Sequence, residues 1–247
     1  MKRLIYIIGV IGLIFVNGCS YKVNGLKNQT GDEIKIGVIE TKATKYESYI
    51  HWYDKGLNKI SEQKLKYAML GSPFHNPVYL GDEIFLIPQG LGNRKDSKKI
   101  ISINKRDFKI REYSFNNIAL NDLAVNEDYI YTINTLNGNT HISKLNRESQ
   151  QLEEIIIEKE YVSGIVAVAD KLYAFSFNME TSSPKFYMYV YNKELELLDK
   201  KDITQFGTGQ YKFLIDENYL YANVMATKEH EAGTIILKIS VDTNNQP

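Results

Sequence analysis

The chain has 247 residues, and 30 Lys and Arg balance 30 Asp and Glu, for a formal charge of zero at pH 7. This length is enough for one large core, and the balance gives no electrostatic pull toward nucleic acid or anionic lipid. The single cysteine excludes an intramolecular disulfide, so the fold must be held by packing alone.

The chain opens with Lys2 and Arg3, followed by an uncharged run from Leu4 to Val16. A spanning helix needs about 20 apolar residues, so this run is short for a membrane span. It fits the apolar core of a secretory signal instead. The run leads into Val16-Asn17-Gly18-Cys19. The segment resembles bacterial lipoprotein signals, in which a small residue precedes a cysteine. Gly18 and Cys19 match that pattern and Val16 is acceptable, while Asn17 departs from the usual Ala or Ser. The resemblance implies cleavage before Cys19, diacylglycerol on its thiol and a place on the extracytoplasmic face of the cell membrane. Two acyl chains would anchor the protein stably. The alternative is an ordinary secreted protein with an incidental cysteine. The abundant Ile, Lys, Asn and Tyr resemble low-GC Gram-positive proteins. Residues 1–18 are therefore expected to form a signal peptide, 19–30 a lipid-anchored tether or closing strand, and 31–247 the folded domain.

Two signatures then repeat in the same order, at intervals of roughly 40–50 residues. The first is an acidic or Asn turn leading into an aliphatic residue: Gly31-Asp32-Glu33-Ile34, Gly81-Asp82-Glu83-Ile84, Asn126-Glu127-Asp128-Tyr129-Ile130, Ala169-Asp170-Lys171-Leu172 and Asp216-Glu217-Asn218-Tyr219-Leu220. The second is a β-patterned run closed by a turn pair, at Asp54-Lys55, Asn104-Lys105, Asn146-Arg147 and Asn192-Lys193. The final copy, around Leu237–Ser240, loses the Asn. A further β run follows the turn at Leu57–Leu65, Phe108–Phe115, Leu152–Ile157 and Leu195–Ile203. Runs rich in Ile, Val, Tyr and Phe between Asn, Asp and Gly turns read as strands. The third unit is expected to hold Leu123–Val125, Tyr129–Asn134, Thr140–Leu145 and Leu152–Ile157.

Repeats of this length with four strands each resemble β-propeller blades. The resemblance implies an all-β fold, a β-propeller of four-stranded blades, with five blades. In Phe186-Tyr187-Met188-Tyr189-Val190-Tyr191 both faces are apolar or aromatic, as a blade covered by two neighbours requires. A β-sandwich and an open β-solenoid are the alternatives. Tyr21–Leu26 could supply a missing strand of the last unit or of the first.

The repeated acids Asp32, Asp82, Asp128, Asp170 and Asp216 suit tight turns, because Asp and Asn bond local backbone. The histidines His51, His75, His141 and His230 show no ligand spacing, so no metal and no cofactor is expected. No nucleophile elbow, phosphate loop or dinucleotide fingerprint occurs.

In a propeller, loops between second and third strands share a rim with the blade-to-blade connections. These are the long loops here: Thr41–Glu47, Gln89–Ser97, Asn178–Lys185 and Ala226–Gly233, with Leu70–Pro77, Asn116–Asn121, Lys159–Gly164 and Gln205–Tyr211. Exposed loops carry function, so Phe74, His75, Tyr161, Phe206 and Tyr211 are the ligand-contact candidates, or else they plug the channel. The expected function is a membrane-anchored binding or sensing protein without catalytic activity. Its partners would be the membrane, through lipid on Cys19, and a glycan, peptide or envelope protein, with no nucleic acid. The alternative is a glycoside hydrolase, which needs carboxylates such as Asp122, Glu160 or Asp202 to converge in the channel.

Overall fold

A computed structural model describes residues 36–45, 47–67, 69–70, 76–88, 98–178, 184–206, 212–216, 219–225 and 234–241. The signal segment with Cys19, the stretch Tyr21–Leu26, and the candidates Phe74, His75 and Tyr211 lie outside the described residues.

The described residues form five antiparallel sheets, each a simple meander. Blade 1 holds β1 (Ile36–Lys42), β2 (Glu47–Tyr53) and β3 (Lys59–Leu65). Blade 2 holds β4 (Val78–Leu80), β5 (Glu83–Leu86), β6 (Lys99–Asn104) and β7 (Ile110–Ser114). Blade 3 holds β8 (Asp122–Val125), β9 (Tyr129–Leu136), β10 (Asn139–Asn146) and β11 (Leu152–Ile157). Blade 4 holds β12 (Tyr161–Val168), β13 (Lys171–Asn178), β14 (Lys185–Tyr191) and β15 (Leu197–Asp202). Blade 5 holds β16 (Phe213–Asp216), β17 (Tyr219–Met225) and β18 (Thr234–Ser240). The all-β propeller expectation holds, and the third unit falls within a residue or two of its expected strands.

By the position of the repeat signatures, β1 aligns with β5, β9, β13 and β17. The described strands of blade 1 therefore occupy the second to fourth places of a blade. Those of blade 5 occupy the first to third.

The turn between third and fourth strands is built the same way four times. The side-chain oxygen of Asp54, Asn104, Asn146 or Asn192 accepts backbone N–H groups just ahead of it, such as Asn58 at 2.8 Å, Arg106 at 2.8 Å, Ser149 at 2.8 Å and Glu196 at 2.8 Å. The same residue's carbonyl accepts the N–H of Leu57, Phe108, Gln150 or Leu195. Each of those four residues has positive φ, between 58 and 62. Such Asx turns reverse a chain locally without help from the core. They also tie into the turn between first and second strands, because the N–H of Lys105 reaches the Asp82 carbonyl and that of Arg147 reaches the Asp128 carbonyl, both at 2.8 Å.

Cores sit between consecutive blades rather than within one. Ile50, Trp52 and Leu65 of blade 1 meet Ile101 and Ile103 of blade 2. Phe85 and Ile100 of blade 2 meet Leu123 and Leu145 of blade 3. Tyr131 and Ile142 of blade 3 meet Ile165, Tyr189 and Tyr191 of blade 4. Phe175, Phe186 and Met188 of blade 4 meet Leu220 and Leu237 of blade 5. On β14, Tyr189 and Tyr191 face blade 3 while Phe186, Met188 and Val190 face blade 5. Each large apolar side chain buried in this way stabilises by about 1.5–3 kcal/mol.

The outward face of blade 1 is polar. His51 lies between Glu40 at 2.9 Å and Glu62 at 3.1 Å, and Lys59 pairs with Glu62 at 2.5 Å. Repeat arrays carry such wet faces on their terminal units. Blade 5 instead exposes Leu214 and Ile236, with Lys238 Nζ 3.7 Å from the Tyr219 ring centre.

Candidate functional site

The inner strands β4, β8, β12 and β16 wall a cavity of about 1090 Å³. It lies along the innermost strands of blades 2 to 5, where a propeller has its central channel, and no described residue of blade 1 lines it. It reaches from the long-loop rim, marked by Asn76, Asp122 and Lys212, to the short-turn rim, marked by Asp128, Asp170 and Lys193. Meander topology accounts for this placement, since the first strand of each unit is innermost and the turn after it opens on the short-turn rim.

The wall mixes apolar and polar surface in near-equal measure. Tyr79, Leu214 and Ile215 line it and are 64%, 67% and 48% exposed, respectively. Large apolar side chains left open to a cavity are free to be covered by a ligand.

Asp122 is the acid set deepest in the wall. Its Oδ2 accepts the Ile165 N–H at 3.0 Å, from β12 of the next blade. Burial pushes its carboxyl up to about 7, against the opposing effect of the Ile165 and Leu123 backbone N–H groups. Burial disfavours the charged form, and the backbone donors recover part of the cost. The close approach of the two strands depends on Gly164. The register shifts between Val162 and Gly164, and a Cβ at 164 would lie 3.0 Å from the Phe213 ring and 3.5 Å from Asp122 Oδ2. Lys159–Gly164, expected as a long loop, is therefore mostly strand β12. Glycine serves there as a packing residue rather than a breaker.

The other two acids considered for channel chemistry lie elsewhere. Glu160 is buried among the strands of blade 4, where its carboxylate accepts Ser176 Oγ at 2.5 Å and Tyr189 OH at 2.7 Å, and pairs with Lys200 at 3.0 Å. Asp202 ends β15, the outermost strand, and accepts the Thr204 N–H at 2.9 Å. Asp122, Glu160 and Asp202 thus do not converge.

Tyr161 opens β12 and packs on Phe177 with ring centres 4.9 Å apart, and Phe177 continues to Phe186 at 6.0 Å. Phe206 sits in the 3-10 turn Thr204–Phe206 after the outer strand of blade 4. Neither lines the channel, and the structure does not bring them together with the channel wall.

The repeated acids divide into two groups. In blade 2, Asp82 pairs with Arg106 at 2.6 Å and Glu83 with Arg147. In blade 3 the turn is made by Asn126, whose Oδ1 accepts the N–H groups of Asp128 and Tyr129 at 3.1 and 2.8 Å. The side chains of Glu127, Asp128 and Asp170 are left at the channel mouth. Among the described residues no group of His, Cys, Asp and Glu has the arrangement of a metal site.

No protein-family model matches the chain, and no curated protein matches it in sequence. Solved structures do resemble it in fold. Hydrazine synthase of Kuenenia stuttgartiensis aligns with a TM-score of 0.54 at 11% identity, over 76% of this chain and 58% of that one. Dihydro-heme d1 dehydrogenase aligns with a TM-score of 0.52 at 12% identity, over 85% of this chain and 42% of that one. The β-propeller domain of the Trilobed protease from Pyrococcus furiosus, described as having an open velcro topology, aligns with a TM-score of 0.50 at 11% identity, over 83% and 64%. The chain spans less than two thirds of each of these structures. At such identities the likeness is one of fold, and the fold is a β-propeller.

Proposed function

We propose that the chain is a non-catalytic binding protein that takes a ligand into its central channel. It is held on the extracytoplasmic face of the membrane by lipid on Cys19. The observation that carries the reading is the channel wall, where Tyr79, Leu214 and Ile215 present exposed apolar surface inside a cavity of about 1090 Å³. A concave site that sets exposed apolar side chains beside polar ones suits small-molecule or peptide binding. The rim aromatics Tyr161 and Phe206, with Phe74, His75 and Tyr211, would add contacts for a larger glycan, peptide or envelope-protein ligand.

Titration with the neutral apolar dye Nile red tests the binding claim. The folded protein should give saturable one-to-one fluorescence enhancement, and the double variant Tyr79→Asp/Leu214→Asp should lose it with an unchanged β spectrum. No enhancement, or equal enhancement in the variant, would overturn it. The anchoring claim has its own test, because Cys19→Ala should release the protein from membranes or block its processing. Unchanged membrane retention of the correctly cleaved variant would refute it.

The glycoside hydrolase reading has half of what it needs: Asp122 in the channel wall holds a carboxyl near 7, as a general acid requires, while the second carboxylate of such a pair is not supplied by Glu160 or Asp202, which lie elsewhere. Hydrolysis of aryl glycosides that disappears in Asp122→Asn would establish it.

A further inference from the structure

Resting on the channel-binding reading, we propose that Asp122 is the polar anchor of the cavity, donating its carboxyl O–H to a carbonyl oxygen on an otherwise apolar ligand. As a residue Asp122 is only partly buried, and it lines the cavity. Its carboxyl lies back against β12. There Oδ2 takes the Ile165 N–H at 3.0 Å, and a Cβ at Gly164 would lie 3.5 Å from the same oxygen. The carboxyl thus fits against bare backbone and is held in one place before a ligand arrives. Leu123, Ile165 and Phe213 are its neighbours in the cavity lining.

The chemistry follows from the partners of this carboxyl. Among the described residues it has no cation beside it, and the Ile165 and Leu123 N–H groups that reach it are both donors. A carboxyl enclosed without a cation is cheaper to protonate than to keep charged. Its rise to about 7, which burial causes, agrees with this. The two backbone donors occupy acceptor positions, so the proton of the neutral form needs an acceptor elsewhere, and the cavity is the open side. A ligand carbonyl there would accept it in place of water, where a hydrogen bond is stronger than in solution. Once ionised, the same group offers only acceptors and would turn the carbonyl away. Carbonyl ligands should therefore bind more weakly as pH rises through about 7.

The surrounding groups leave that pH signature to Asp122. Of the elements packed around it, β4, β9 and β12 carry no charged side chain, and their titratable groups are Tyr79, Tyr129, Tyr131 and Tyr161. Lys212 precedes β16 at the near rim, and Asp216 ends that strand at the far one. The other charged residues lining the cavity are Glu127, Asp128, Asp170, Lys171 and Lys193, toward the short-turn mouth. Histidine, the side chain that ordinarily titrates near neutrality, is not among the lining residues.

The test is displacement of Nile red from the full chain by acetophenone and by ethylbenzene, which share an aromatic body and differ by a carbonyl in place of a methylene. Each displacement constant is corrected for the dye's own affinity at the same pH. Acetophenone should bind about tenfold or more weakly at about pH 8.5 than at about pH 5.5, as the ionisation of one group dictates, while ethylbenzene stays level. Asp122→Asn keeps an N–H donor and does not titrate, so it should hold acetophenone equally at both pH values. Level acetophenone binding in the wild type, a pH loss that survives in Asp122→Asn, or an equal loss for ethylbenzene would overturn the inference. Failure of Nile red to bind at either pH would instead defeat the channel-binding reading beneath it.

Discussion

The Asp122 carboxylate of blade 3 accepts the backbone N–H of Ile165 in blade 4 at 3.0 Å. This bond staples two innermost strands where β12 bulges, and it does so with an acid whose carboxyl stands near 7. The same residue is thus a structural link and the most perturbed acid of the channel wall.

The bond has a pH signature. Asp122 is raised from 3.8 to about 7, so between those values the folded chain keeps a proton that the unfolded chain has released. Its contribution to stability is complete below about pH 4 and is lost as pH rises through about 7. Asparagine keeps a carbonyl oxygen for Ile165 and does not titrate. Asp122→Asn should therefore gain on the wild type between pH 4 and 8, by up to about 4 kcal/mol, in urea midpoints taken at several pH values. Parallel pH profiles for the two proteins would refute the assignment.

Gly164 should not tolerate a methyl group. Its Cβ would press on Phe213 at 3.0 and 3.1 Å, between blades 4 and 5. Overpacking of this kind costs about 1–3 kcal/mol. Gly164→Ala should lower the denaturation midpoint accordingly, and adding Phe213→Leu should recover part of the loss. Strictly additive destabilisation in the double variant would show that the two side chains do not compete for space.

The Glu160 network should behave as a buried anchor for blade 4. Glu160→Ala strands Ser176 Oγ and Tyr189 OH, which now donate to it at 2.5 and 2.7 Å. Breaking a buried charged centre costs about 3–5 kcal/mol. Lys200 is more than a third exposed, so Lys200→Ala should cost less than about 1 kcal/mol. Chemical denaturation of the two variants checks the ordering, and a larger loss for Lys200→Ala would reverse the account.

Much of the fold was legible because it is written locally. Asn146 closes its own turn through its side chain, and the same chemistry at Asp54, Asn104 and Asn192 marks three further units in the sequence. The two-faced apolar run Phe186–Tyr191 likewise signals a blade packed on both sides, since those contacts need only alternation. The site was less legible because its position depends on how successive blades assemble. Tyr79 and Leu214 read as ordinary strand residues, and nothing local distinguishes an innermost strand from its neighbours. Ser163-Gly164 looked like a loop, yet Gly164 is spared a side chain by Phe213, which follows it by almost fifty positions. Asp128 and Asp170 looked like turn formers. In blade 3 that work falls to Asn126, which frees the Asp128 carboxylate to face the cavity.

Photolabelling with a neutral diazirine-bearing alkyl probe, followed by peptide mass spectrometry, tests the channel directly. Four of the exposed apolar side chains compete on nearly equal terms: Tyr79 and Leu214 inside the channel at 64% and 67%, and Leu57 and Ile236 outside it at 67% and 65%. If the channel is the binding site, label should concentrate on the peptides of β4 and β16 and be displaced from them by excess unlabelled alkyl ligand. Label spread in proportion to exposure, or centred on Leu57 and Ile236, would contradict the account.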